Sequence, residues 1–201
     1  MANIPRLVGA PDFGKLVAPE ESLGKRLEGK RVLLTGTTKG VGRVTQELLC
    51  AQGAFVCGSG RSKGVAAEVA NELVAKGYKA AGFDVDLSDY EAVKKWVTDC
   101  AELMGGIDIV INNASHPGMA PFGEMTPDIW AYGIQNELDL VYNVCNCAWP
   151  YLIEAGGGSI IITSSTVGLQ GSNSPQACHA AAKGACLALA RQLAAEGGPF
   201  G

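Results

Sequence analysis

Short apolar runs alternate with segments of helical periodicity along most of the chain. The runs are rich in aliphatic residues and predict buried strands at 30–36, 54–60, 79–87, 107–114 and 158–165. Apolar residues spaced three and four apart predict helices at 41–53, 63–77, 88–106, about 128–155 and 176–198. Strands that are apolar throughout are typical of a sheet covered on both faces, so the pattern predicts a doubly wound α/β fold with a parallel sheet.

The order of these elements predicts how the sheet is arranged. Right-handed crossovers between parallel strands give the strand order 3-2-1-4-5. Residues 1–28 lack periodicity and are interpreted as an N-terminal extension to a single domain at 29–201. The sequence stops after the last predicted helix, so we expect a sheet that is truncated before a sixth strand.

Composition excludes several classes of function. A net charge of -4 without any basic run argues against nucleic acid as a partner, and no apolar stretch is long enough for a membrane span. The seven cysteines are odd in number and mostly lie in apolar segments, which favours free, buried thiols in a reducing cytoplasm. Their spacing does not match a zinc site, so we expect no metal.

A glycine-rich loop joins the first predicted strand to the first predicted helix. The sequence TGTTKGVG places Gly36, Gly40 and Gly42 at the start of that helix. A pyrophosphate can lie against a helix N-terminus when no side chain blocks it, so the loop predicts a dinucleotide site. The second strand ends in Gly60 and Arg61 with no carboxylate, and Lys39 adds another cation. This charge pattern favours NADP(H) over NAD(H).

The ordered set of short motifs resembles the short-chain dehydrogenase/reductase family over nearly all of residues 28–198. The matching motifs are TGTTKGVG, Asp86-Leu87, NNAS at 112–115, Asn136, the serine pair at 164–165 and Lys183. The resemblance implies a Rossmann-like domain that transfers a hydride between a nicotinamide cofactor and an alcohol or carbonyl carbon. The residues expected to bind the cofactor are Gly36, Thr38, Lys39, Gly40, Val41, Gly42, Arg61, Asp86, Leu87, Asn113 and Lys183.

The resemblance also implies the catalytic residues, with one departure from the family pattern. Asn136 matches a residue of the proton relay, Ser165 matches the serine that orients the substrate carbonyl, and Lys183 matches the lysine that binds the nicotinamide ribose. The family's acid/base is a tyrosine four residues before the lysine, and here that position is His179. An imidazole ordinarily titrates near about pH 6.5, but it is shorter than a phenol by roughly one or two ångströms and could need a bridging water.

Three interpretations of the departure remain open. The chain is an NADP(H)-dependent oxidoreductase that uses His179, a non-catalytic nucleotide-binding or scaffold relative, or a fragment of a longer active enzyme. The resemblance further implies a small-molecule carbonyl or alcohol substrate and a homodimer or homotetramer formed through the last two long helices. We expect a cytoplasmic protein without nucleic-acid or membrane partners.

Overall fold

Five parallel strands form one sheet in the computed structural model, which describes residues 25–201. The strands are β1 (Arg31–Thr35), β2 (Phe55–Gly60), β3 (Lys79–Asp84), β4 (Ile109–Asn112) and β5 (Ser159–Ile162). Their order is β3-β2-β1-β4-β5, which confirms the prediction. In the middle of the sheet, Val32 of β1 lies opposite both Val56 of β2 and Ile109 of β4.

Six α-helices connect and follow the strands in the described part of the chain. They are α1 (Gly40–Ala51), α2 (Val65–Ala75), α3 (Tyr90–Met104), α4 (Pro127–Ile134), α5 (Leu140–Glu154) and α6 (Ala177–Gly197). Short 3₁₀ turns lie at Phe122–Glu124, Thr166–Gly168 and Gly198–Phe200. The helix predicted at about 128–155 therefore consists of α4 and α5, and the segment Gln135–Asp139 between them is wound as a π-helix.

Alternate residues of each strand face opposite sides of the sheet, and both sides are buried in the central strands β1, β2 and β4. Val32 and Leu34 of β1 pack toward α1 and α2, where Cys50 and Leu73 belong to the same cluster. Leu33 faces the other side, in a larger cluster contributed by α3, α5 and α6. This two-sided burial explains why the central strands are apolar throughout, whereas the edge strand β5 leaves Ile161 48% exposed.

The strands end earlier than the apolar runs predict. β3 stops at Asp84 rather than at residue 87, because the chain turns away where the Asp86 carboxylate accepts hydrogen bonds from the backbone and hydroxyl of Ser88. Asp89 then caps α3 by accepting from the backbone N–H groups of its first turn. β4 and β5 are likewise shorter than predicted. Polar residues after each strand are thereby free to form loops at the carboxyl edge of the sheet.

The predicted N-terminal extension lies mostly outside the described residues. Its last residues, 25–28, are part of the structure and form a turn before β1. The backbone N–H of Leu27 donates to the carbonyl of Gln52 at 2.9 Å, and the Leu27 side chain packs against the cluster around Val32. Leu27 therefore contacts the rest of the domain through both its backbone and its side chain.

All seven cysteines are described, and all are free and buried, as predicted. Burial raises the pKa of Cys50 and of Cys145 to about 12, so these thiols are held in the protonated form at neutral pH. Among the described residues, no group of three or more acidic, histidine or cysteine side chains could hold a metal ion. No helix in this part of the chain has the length and apolar character that a membrane span requires.

Candidate active site

A cleft of about 440 Å³ opens at the carboxyl edge of the sheet, where β1 and β4 are neighbours although the chain reaches β4 only after β2 and β3. The loops that follow β1, β2, β3 and β4 all contribute to its walls. In doubly wound sheets this crossing point is where ligands bind, because two loops diverge there and leave a crevice.

The glycine loop forms the floor of this cleft. Gly36 and Gly40 have φ angles of +74° and +57°, a left-handed conformation that side-chain-bearing residues rarely adopt. A Cβ added to Gly42 would lie 2.0 Å from the carbonyl oxygen of Gly36, so the loop packs directly on the first turn of α1. A Cβ on Gly40 would meet nothing within 4 Å, because that residue faces the open cleft. The exposed N–H groups at the start of α1 can therefore receive a phosphate.

Two cations flank the glycine loop. Lys39 and Arg61 both line the cleft, and neither forms an ion pair with any of the described residues. Arg61 makes a long contact of 3.5 Å to the Oδ1 atom of Asn136. Gly60, just before it, accommodates the Thr38 methyl group, which would lie 2.3 Å from an added Cβ. The end of β2 therefore offers positive charge and no carboxylate.

Asp86 and Asn113 shape the remaining walls of the cleft. Hydrogen bonds from Ser88 hold the pKa of the Asp86 carboxyl below its usual range, and the nearby Arg61 charge adds to this effect. The Asn113 amide donates to the carbonyls of Thr35 and Gly36 at 3.1 and 3.3 Å. Asn113 therefore ties the end of β4 to the glycine loop and keeps the two sides of the cleft in register.

Eight of the eleven residues predicted to bind a cofactor line this cleft. They are Gly36, Thr38, Lys39, Gly40, Arg61, Asp86, Leu87 and Asn113. Of the other three, Val41 is exposed on α1, Gly42 packs against the loop, and Lys183 is buried in α6 and does not line the cleft. The lining fits a dinucleotide, because a side-chain-free cradle adjoins a helix N-terminus with two cations beside it.

The four predicted catalytic residues lie in three different environments. Asn136 lines the cleft, where its side-chain amide donates to the backbone carbonyl of Tyr132. The backbone carbonyl of Asn136 accepts from the backbone N–H of His116. Ser165 caps the 3₁₀ turn Thr166–Gly168, and its hydroxyl accepts from the backbone of Val167 at 3.4 Å. Among the described residues, no hydrogen bond connects either side chain to His179 or Lys183.

His179 and Lys183 belong to a buried cluster centred on Glu137. The Nδ1 atom of His179 lies 2.8 Å from Oε1 and 2.7 Å from Oε2 of Glu137. The Lys183 ammonium donates to the carbonyl of Thr163 at 2.9 Å and lies 3.9 Å from Oε1 of Glu137. The Ser115 hydroxyl donates to the same oxygen. The Glu137 side chain is fully buried, whereas the His179 side chain is 15% exposed.

The π-helical segment explains how neighbouring residues serve two regions. A wider turn inserts an extra residue into a helix, and such turns often occur at functional sites. Asn136 faces the cleft, and the next residue, Glu137, faces α6, where its backbone carbonyl also lies 3.5 Å from the Cys186 thiol. The helix thereby connects the cleft to the cluster.

Sequence reasoning missed Glu137, because nothing in its local sequence marks it as buried. It stands in the stretch QNELDLV (135–141), where its neighbours Asn136 and Asp139 are also polar. The partner could not be named from the sequence, because His179 is more than 40 residues away on another helix. A second missed contact is the 2.9 Å hydrogen bond between the Tyr132 hydroxyl and Nδ1 of His116 at the mouth of the cleft.

Comparisons with known proteins agree with this fold. The family model for the short chain dehydrogenases matches residues 30–201. The 3-oxoacyl-(acyl-carrier-protein) reductase of Vibrio harveyi is 32% identical over 170 residues, which cover 85% of this chain and 68% of the relative. The corresponding reductase of Thermotoga maritima is 32% identical over 171 residues, with 85% and 69% covered.

A solved structure has the same fold. The short chain dehydrogenase from Mycobacterium smegmatis superposes with a TM-score of 0.83 at 30% sequence identity, over 87% of this chain and 74% of that protein. The similarity therefore extends over most of both chains.

Proposed function

Because the chain belongs to the short-chain dehydrogenase family, we propose that it interconverts a small-molecule alcohol and carbonyl, with NADP(H) as the cofactor and His179 as the acid/base. Members of this family are NAD(P)-dependent oxidoreductases that act on alcohols and carbonyls. The observation that carries the proposal is the position of His179. It lies one helical turn before Lys183, in a cluster that the π-helical segment links to the cleft. A titratable ring in that place can exchange a proton with a substrate oxygen.

The preference for NADP(H) rests on the charges beside the glycine loop. Lys39 and Arg61 line the cleft without carboxylate partners among the described residues, and Gly60 stands where an acidic residue would bind a ribose hydroxyl. A guanidinium can bind a 2′-phosphate through two hydrogen bonds. Arg61 is therefore proposed to select the phosphorylated cofactor.

The residues of the cleft would bind the cofactor, and the residues of the cluster would transfer the proton. A bound nicotinamide cofactor supplies or takes the hydride. The glycine loop, Asp86 and Asn113 hold the dinucleotide, and His179 gives a proton to the carbonyl oxygen or takes one from the hydroxyl. Lys183 donates to the carbonyl of Thr163, which holds its ammonium 3.9 Å from the Glu137 carboxylate that contacts His179. Ser165 is proposed to orient the substrate carbonyl.

A second candidate function is nucleotide binding without turnover. The observation that favours it is that Nδ1 of His179 is fully engaged by Glu137 and that the ring does not line the cleft. In that case the protein would bind NADPH tightly and transfer no hydride. A third candidate is a fragment of a longer enzyme, in which additional chain completes the substrate pocket. The observation that favours it is that the matches cover only 68% and 69% of the two bacterial reductases.

The test combines cofactor binding with turnover. NADPH and NADH affinities are measured by fluorescence, and NADPH oxidation is followed with a panel of aldehydes, ketones and 3-oxoacyl thioesters. We expect NADPH to bind at least about 10-fold more tightly than NADH, and Arg61→Ala to remove most of that difference. Arg43→Ala, which alters an exposed arginine paired with Glu72, is the matched control. Equal affinities in the unaltered protein would overturn the cofactor preference, and tight binding without oxidation of NADPH would favour the second candidate.

Assembly and location are part of the proposal. The free, buried cysteines support a reducing compartment such as the cytoplasm. A homodimer or homotetramer through α5 and α6 is proposed, and sedimentation velocity measures it directly.

A further inference from the structure

We propose that Glu137 is a positioning residue that fixes the tautomer of His179 and makes Nε2 the atom that exchanges the proton. This inference rests on the proposed function for its chemical consequence. Its geometric part, the location of the ring proton, can be tested without turnover.

The contacts assign the ring proton. An ionised carboxylate can only accept hydrogen bonds, so the Nδ1 atom that approaches both oxygens of Glu137 at 2.8 and 2.7 Å must donate. The neutral ring then carries its proton on Nδ1 and a lone pair on Nε2. Within residues 25–201, Nε2 has no hydrogen-bond partner. Since the ring retains 15% exposure while Glu137 has none, Nε2 is the nitrogen left for a substrate or a bridging water.

The surroundings explain why a carboxylate is tolerated at full burial. A buried carboxylate needs charged or hydrogen-bonding partners, and Glu137 has the Ser115 hydroxyl, the His179 ring and the Lys183 ammonium. The ammonium is the most distant of the three, at 3.9 Å, because it donates to the carbonyl of Thr163. The histidine is therefore the nearer partner, and the carboxylate acts on it more directly than on Lys183.

Proton transfer in both directions follows from this arrangement. With Nε2 unprotonated, the ring accepts the hydroxyl proton of an alcohol. At the same time a hydride leaves the carbon that bears this hydroxyl and passes to the oxidised cofactor. The ring then holds two protons, and its positive charge lies against the Glu137 carboxylate. In the reverse direction, Nε2 returns its proton to the carbonyl oxygen as the hydride arrives, and the Nδ1 proton stays with Glu137 throughout. The carboxylate thus orients the ring and stabilises its charged form.

Nitrogen-15 NMR of histidine-labelled protein tests the assigned tautomer directly, because the chain has only two histidines. A purely structural pair between the π-helical segment and α6 would give the same tautomer, so the kinetics of Glu137 variants separate that role from positioning for the reaction. The second histidine, His116, is assigned by the variant His116→Gln. At a pH where the ring is neutral, we expect the His179 proton on Nδ1 and an Nε2 signal typical of an unprotonated nitrogen. In Glu137→Gln we expect a mixture of the two tautomers.

Steady-state kinetics test whether Glu137 affects the reaction. Glu137→Gln keeps the side-chain volume, and we expect it to lower kcat on the order of 10²-fold while NADPH affinity changes less than about twofold. Glu137→Asp retains the charge and should recover part of the loss. Asp139→Asn is the matched control, because this exposed carboxylate lies in the same π-helical segment and forms no hydrogen bond or ion pair with the described cluster residues.

The outcomes separate the two proposals. A neutral His179 with its proton on Nε2 overturns the positioning role whatever the activity, and this measurement on the unaltered protein needs no variant to fold. Unchanged kcat in Glu137→Gln, in a protein that turns over, also overturns it. An Nδ1 proton that depends on Glu137, in a protein that binds NADPH but reduces no carbonyl, supports the positioning of the ring and contradicts the proposed function.

Discussion

The nucleotide cleft and the Glu137 cluster are built in different ways, although they adjoin through one π-helical segment. The cleft is made of short loops directly after strands, and its key features are backbone conformation and the absence of side chains. The cluster is made of side chains from a β4 loop, the π-helical segment and α6, each far from the others in sequence. The first can be recognised from local spacing, whereas the second depends on tertiary packing.

The difference has an energetic consequence. Replacing a residue of the cleft removes or blocks a ligand contact and leaves the protein core largely unchanged. Replacing one member of the cluster leaves a buried charge without its partner, so both stability and activity should suffer. Variants in the two regions can therefore test whether the cleft affects ligand binding alone and the cluster affects both stability and activity.

The largest expected effect is in the cluster, at Lys183. Lys183→Met should reduce the free energy of unfolding by about 3–5 kcal/mol, because the Glu137 carboxylate loses its ammonium while fully buried. Urea denaturation measures this change, and NADPH oxidation should fall below detection. In Glu137→Leu/Lys183→Met, where both charges are removed, we expect most of the stability to return without activity. If the single variant were as stable as the unaltered protein, the cluster would not depend on this pairing.

In the cleft, the strongest effect is expected at Gly42. In Gly42→Ala the new methyl would lie 2.0 Å from the Gly36 carbonyl oxygen, so the loop must move away from α1. We expect NADPH affinity to fall on the order of 10²-fold, measured by fluorescence titration, since about 1 Å of displacement disrupts such a cradle. Gly123→Ala is the control, because a Cβ there meets nothing within 4 Å. An unchanged affinity in Gly42→Ala would show that the loop has more freedom than its contacts indicate.

These two regions also show how far the sequence could predict the site. The strand order followed from the apolar runs and the handedness of crossovers, and the glycine loop followed from its spacing, because those signals are local. Asp86, Leu87 and Asn113 were expected from the family resemblance. The partner of His179 could not be predicted, since its contact with Glu137 depends on the π-helical turn and on how α6 packs. The strand ends were also misplaced: apolar residues such as Val85 and Leu87 continue the run but turn into the cleft wall after Asp84.

A smaller effect is expected when the tyrosine of the family pattern is restored. In His179→Tyr, the phenol would stand beside the Glu137 carboxylate, which opposes formation of a phenolate. We expect this variant to gain little or no turnover, whereas Glu137→Leu/His179→Tyr should exceed it about 10-fold in kcat. A double-mutant cycle of the steady-state rates measures the coupling. A large gain in the single variant would mean that the Glu137 carboxylate does not oppose ionisation of the phenol.

The smallest expected effect lies at the opposite edge of the sheet and involves neither region. Arg31 donates from Nε and Nη2 to the two oxygens of Asp108 at 2.9 and 2.7 Å, and these hydrogen bonds hold the pKa of the Asp108 carboxyl below its usual range. The pair is partly exposed, so Asp108→Asn should reduce the free energy of unfolding by only about 1–2 kcal/mol at pH 7. NADPH affinity and turnover should not change.

The pH dependence of that difference follows from the lowered pKa of Asp108. The ionised Asp108 carboxylate stabilises the folded protein fully above about pH 4, the ordinary range for the pKa of an aspartate. This stabilisation is lost as the pH falls through the lower pKa that Asp108 has in the folded protein. Urea denaturation of both proteins between pH 7 and pH 3 should therefore show the two stabilities converging on acidification. A constant difference would assign the effect of Asp108→Asn to packing instead. A loss of turnover in this variant would contradict the confinement of chemistry to the carboxyl edge of the sheet.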